Sequence, residues 1–122
     1  MTEHKIGNVY KGYFQLQDST ESKFRRLLLT DITGDNSEIG IMTYLTGAHP
    51  SVPPSHHDQY KMPLDKWLRY GLTKMTYAKI NKNMPIPINV LSKPIGQMDD
   101  EEFLPIAQRV IEYIKLNGFD NK

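Results

Sequence analysis

A chain of 122 residues with 39% hydrophobic and 24% charged side chains has the composition of a folded globular domain. It contains no cysteine, which excludes disulfides, thiolate metal sites and cysteine nucleophiles, and no apolar run approaches the length that crosses a bilayer. The formal net charge of +1 conceals an uneven spread: Lys61, Lys66, Arg69, Lys74, Lys79, Lys82 and Lys93 share residues 61–93 with Asp65 alone.

Such a basic segment is either a phosphate-facing surface or a solvated lysine face. The opening residues, Met1-Thr2-Glu3-His4-Lys5, lack the apolar stretch of a signal peptide, so a cytoplasmic location is expected. One domain covering 1–122 is expected from the length.

Residues 9–17 alternate, with Tyr10, Gly12, Phe14 and Leu16 on one side, and this period of two predicts a half-buried strand. A polar loop at 18–23 leads to a second strand over 24–32, whose continuous run Leu27-Leu28-Leu29 suits a central position. Thr33-Gly34-Asp35-Asn36-Ser37 is turn chemistry, and 39–45 is the returning strand of a hairpin. A long loop over 47–63 follows, rich in proline and holding His49, His56 and His57. A fourth strand is predicted over 74–81, with Thr76, Ala78 and Ile80 on one face, and Met84-Pro85-Ile86-Pro87 is extended. Phe103, Ile106, Ala107, Val110, Ile111 and Ile114 fall on one face of a helix over about 100–117, with Asp99 and Glu102 spaced as a capping box and Gly118 as its stop. Pro105 raises the expectation that the regular helix starts near Leu104. The fold class is mainly β (α+β), a small curled antiparallel sheet or partly open barrel with a C-terminal amphipathic helix.

Three segments resemble the PemK/MazF family of toxins, the endoribonucleases of bacterial toxin–antitoxin pairs. Gly7-Asn8-Val9-Tyr10 looks like the family's opening strand, and Phe24-Arg25-Arg26-Leu27-Leu28-Leu29 sits where the family has an arginine–proline pair before an apolar strand. Residues 71–79 and Lys93-Pro94-Ile95-Gly96-Gln97-Met98-Asp99-Asp100-Glu101 follow the pattern of its C-terminal half. Arg26 stands in the place of the family's proline. The resemblance implies an SH3-like barrel, a homodimer, and metal-independent cleavage of single-stranded RNA by attack of a ribose 2′-hydroxyl on the adjacent phosphate, with no cofactor and with inhibition by a cognate antitoxin protein.

By that resemblance Arg25 matches the arginine that steadies the phosphorane, and Thr46 the threonine that holds the scissile phosphate. A planar guanidinium suits two phosphorane oxygens with parallel hydrogen bonds. Glu21 is a candidate base. Arg26 either adds a second charge or points to the opposite face of its strand. Lys23, Lys74 and Lys79 are candidate RNA contacts. His49, His56 and His57 are ordinary loop residues, RNA or acid–base groups, or, least favoured, metal ligands. Exposed tyrosines such as Tyr13, Tyr44 or Tyr60 could stack on bases. The competing reading is a non-catalytic SH3-like module that binds a protein or single-stranded nucleic acid.

Overall fold

A computed structural model describes residues 4–15, 22–48 and 56–118, and for residues 14, 15, 22, 23, 56 and 57 the backbone alone. Six antiparallel strands form one curled sheet: β1 (Asn8–Gln15), β2 (Ser22–Thr33), β3 (Ile39–Thr46), β4 (Lys61–Pro63), β5 (Tyr77–Pro87) and β6 (Gly96–Gln97), in the spatial order β4-β5-β3-β2-β1-β6. One helix, α1 (Asp100–Asn117), closes the chain. The architecture is the antiparallel half-barrel with a C-terminal helix expected from the sequence.

The strand β2 is flanked on both sides, by β1 and β3, and separates two cores. Val9, Leu28, Leu45, Ala78 and Ile80 face α1, where Phe103, Ile106, Ala107 and Val110 cover them. Tyr10, Leu27, Leu29, Met42, Tyr44, Met84 and Ile86 pack on the opposite face. The Leu27-Leu28-Leu29 run therefore serves both sides, which is why it is uninterrupted.

One departure from the predicted elements follows from a local break in the alternation. The strand expected over 74–81 is instead Tyr77–Pro87. Between the pairs Thr43–Asn83 and Tyr44–Lys79, β5 inserts three residues, 80–82, and this bulge reverses which residues face which side. Ala78 and Ile80 face the helix, while Met84 and Ile86 face away. Pro85 and Pro87 are tolerated because β4 covers only residues 77–79, leaving the rest of β5 as a sheet edge. A smaller bulge at Thr30 shifts β2 against β3. Both bulges meet in a buried polar chain: Thr30 Oγ1 donates to the Ile41 carbonyl at 2.9 Å and lies 3.2 Å from Thr43 Oγ1, Thr43 donates to Asn83 Oδ1 at 2.6 Å, and Asn83 Nδ2 donates to the Ile80 carbonyl at 2.8 Å.

The loop predicted over 47–63 contains a 3-10 helix (His56–Tyr60) and β4. The helix α1 starts at Asp100 and runs through Pro105. The bond lost there is that to the carbonyl of Glu101, an exposed residue. The Asp99–Glu102 capping box does not form. Asp99 binds Lys66 Nζ at 3.2 Å and Arg69 Nη1 at 2.8 Å, while Glu102 accepts from the backbone N–H of Asp65 at 2.7 Å and from the Tyr70 hydroxyl at 2.7 Å. These two carboxylates tie the segment 65–70 to the start of α1 instead of capping their own helix.

Candidate active site

Arg25 lies on β2 opposite Gly12 of β1, on the face away from α1. A glycine there leaves the space above the guanidinium's strand without a facing side chain. The side chain is half-buried, and its Nε is buried without a hydrogen-bond partner among the described residues; Nη1 reaches the Phe24 carbonyl only at 3.5 Å. A buried cationic donor without an acceptor is costly, and an arriving anion would satisfy it.

Thr46 ends β3. The β2–β3 ladder stops at Arg26–Leu45, and one further step puts Thr46 beside Arg25 on the same face. Its Oγ1 accepts from the Ala48 N–H at 3.1 Å, so the oxygen is held while its own proton remains to be donated. Tyr77 of β5 pairs with Thr46 from the far side. The Lys74 side chain folds over Gly47, where a Cβ would fall on its terminal methylene, and this places a cation next to Thr46. Thr76 Oγ1 donates to the Lys74 carbonyl at 2.9 Å and fixes the bend that presents it. Lys79 pairs with Tyr44 and with Lys61 on the same face as Arg25. Asp58, nearly buried, binds Lys61 Nζ at 3.0 Å and offsets part of the charge that these two lysines bring together.

No family model matches this chain, and no curated protein matches it significantly. Among solved structures, the toxin MazF-mt6 of Mycobacterium tuberculosis superposes with a TM-score of 0.57 over 88% of this chain and 96% of that one, at 15% sequence identity. The fold is MazF-like.

On that MazF-like sheet, Arg25, Thr46, Lys74 and Lys79 share one region, and Arg26 does not belong to it. Alternation turns Arg26 to the helix-bearing face, opposite Lys11, with its guanidinium carbon 5.5 Å from the centre of the Phe24 ring. Lys23 and His56 and His57 have described backbones only, in β2 and in the 3-10 helix; Glu21 and His49 lie outside the described residues. Gly12, Tyr77 and the Asp58–Lys61 pair were not anticipated. A glycine inside an alternating strand is a signal of close approach that singles out Gly12, whereas Tyr77 depends on the β3–β5 register. A cavity of about 310 Å³ between the bulged strands and the last turns of α1, lined among others by Thr30, Ile41, Val110 and Ile114, contains none of these residues.

Proposed function

We propose that this protein is a metal-independent endoribonuclease toxin that cleaves single-stranded RNA, acts in the cytoplasm as a homodimer, and is neutralised by a cognate antitoxin protein. The observation that carries the reading is Arg25: a guanidinium with a buried, unpartnered Nε, opposite a glycine and beside the Thr46 hydroxyl. In the reaction the ribose 2′-oxygen bonds to the adjacent phosphorus and the bond from phosphorus to the 5′-oxygen breaks. The products are a 2′,3′-cyclic phosphate and a 5′-hydroxyl. Arg25 stabilises the two extra-ring oxygens of the phosphorane, Thr46 donates to the phosphate, and Lys74 and Lys79 hold neighbouring phosphates. Glu21, in the segment before Arg25, takes the 2′-proton, and a protonated group, with the histidines of 49–57 as candidates, delivers one to the leaving oxygen. Exposed Leu104, Ile111 and Leu116 on α1 are apolar surface that dimer formation would cover.

The decisive experiment is incubation of the purified protein with mixed RNA in chelator, followed by end-group analysis and an assay of growth on expression. Cleavage with 5′-hydroxyl ends, lost in Arg25→Ala, supports the reading. Absence of both cleavage and growth arrest establishes the non-catalytic binding module in its place, and cleavage unchanged in Arg25→Ala removes the assigned mechanism.

A further inference from the structure

The β1–β2 hairpin carries a second group of side chains on the face opposite Arg25. Val9, Lys11 and Tyr13 stand across from Leu28, Arg26 and Phe24. The first couple is buried under α1, but Tyr13 is 75% exposed and Phe24 43%. Their rings meet edge to face, centroids 5.5 Å apart at 74°, and the Arg26 guanidinium carbon lies 5.5 Å from the Phe24 centroid. Two adjacent rings exposed on a sheet face offer a flat aromatic surface to a partner.

Among the described residues the neighbouring sheet edge is open beyond β6. The Val9 carbonyl points outward and accepts from Ile95 N at 2.8 Å, and β6 pairs only with Asn8 and Val9. Lys11 and Tyr13, two and four residues on, point their backbone N–H and C=O in the same outward direction, and among the described strands only β2, on the inner side, pairs with them. The far side of the sheet is blunted by Pro85 and Pro87; this one is not.

We propose that Tyr13 and Phe24, flanked by Lys11 and Arg26, form a stacking platform for unpaired bases of single-stranded RNA, reached by a strand that passes from Arg25 over the open β1 edge. The inference rests on the RNA-cleaving function proposed above. Its occupant follows from complementarity. The described residues of the patch supply two cations and no carboxylate, which suits phosphates, and the exposed ring faces suit bases, which stack on aromatics regardless of sequence. Arg25 lies between Phe24 and Arg26 in the chain, so the platform and the proposed scissile site are separated only by the thickness of the sheet.

The test uses the full chain with Arg25→Ala, so that RNA is not consumed, and two probes: a pool of random-sequence RNA heptamers and an abasic ribose-phosphate heptamer. The parent binds the heptamer pool more tightly than the abasic oligomer. Adding Tyr13→Ala and Phe24→Ala lowers affinity for the pool about tenfold and leaves affinity for the abasic oligomer unchanged. Arg26→Gln weakens both and reduces the salt dependence of binding. Equal binding of the pool by parent and ring variants overturns the platform while leaving the nuclease intact. A parallel loss for both probes, with a change of oligomeric state in light scattering, assigns the rings to a contact between copies and also overturns it. Failure to bind either probe refutes the RNA reading itself.

Discussion

Arg25 and Thr46 stand on the same face of adjacent strands, one residue past the Arg26–Leu45 couple that ends the β2–β3 ladder. The arginine is the less comfortable of the two, because its Nε has no acceptor among the described residues. Stability and activity therefore part company at this position. Arg25→Met should leave the melting temperature unchanged or raise it, since the unsatisfied donor is removed, while RNA cleavage falls on the order of 10²–10³-fold. Arg25→Lys should not restore cleavage, because an ammonium lacks the planar fork. Thermal melts and single-turnover cleavage on the same samples check both.

In the proposed reaction Thr46 acts through a hydroxyl whose oxygen is already held by Ala48. Thr46→Val should cost cleavage on the order of 10²-fold. Thr46→Ser should keep most of it, as the serine hydroxyl can both accept from Ala48 and donate to a phosphate.

Gly47 and Lys74 offer a variant that moves a charge without touching it. In Gly47→Ala the new methyl occupies the place of the Lys74 terminal methylene, the mobile end of a flexible side chain. Unfolding free energy should change by no more than about 0.5 kcal/mol. RNA affinity should fall as in Lys74→Ala, with the salt slope reduced by about one in each. Equal affinity of Gly47→Ala and wild type would detach Lys74 from the RNA.

Glu102 is the hub that binds the 65–70 segment to α1, accepting from Asp65 N, Lys66 N and the Tyr70 hydroxyl. Glu102→Ala should destabilise the fold by about 2–3 kcal/mol, since a buried hydroxyl and backbone donors lose a charged acceptor. The urea midpoint should drop with little change in slope.

Alkaline stability follows from two tyrosines. Burial, and for Tyr70 also the bond to Glu102, pushes the hydroxyls of Tyr70 and Tyr10 above their ordinary value of 10.0. The folded protein then keeps protons that the unfolded chain has released, so stability is intact below pH 10 and declines as pH rises beyond it. Tyr70→Phe should flatten that decline while losing about 1 kcal/mol at neutral pH with its hydrogen bond. Urea titrations between neutral and strongly alkaline pH measure both effects.

Much of the sheet was readable because hydrophobic spacing and turn chemistry act locally. The run at 27–29 and the turn at 33–37 place β2 and β3 as neighbours, and hence Arg25 near Thr46. The alternation ends the predicted fourth strand at residue 81 because the pattern reverses at residues 80–82, where a bulge and not a strand end interrupts it. The false capping box has a different cause: Asp99 and Glu102 have the right spacing, but their tertiary partners, Lys66, Arg69, Asp65 and Tyr70, outbid the local backbone. Nothing in the sequence indicates that Lys74 folds over Gly47, a contact between residues far apart in the chain.

The chain of hydroxyls and amide through Thr30, Thr43 and Asn83 works as an index pin for the sheet. Sliding β5 along β3 by one position would carry Asn83 away from Thr43 and strand its amide among hydrocarbon, a penalty that apolar residues at these three places would not impose. The same slide would move Tyr77 off Thr46. Alignment at the Arg25 end is thus enforced by polar atoms several residues away, and a hydrophobic triple replacement would yield a sturdy sheet with an unreliable register there.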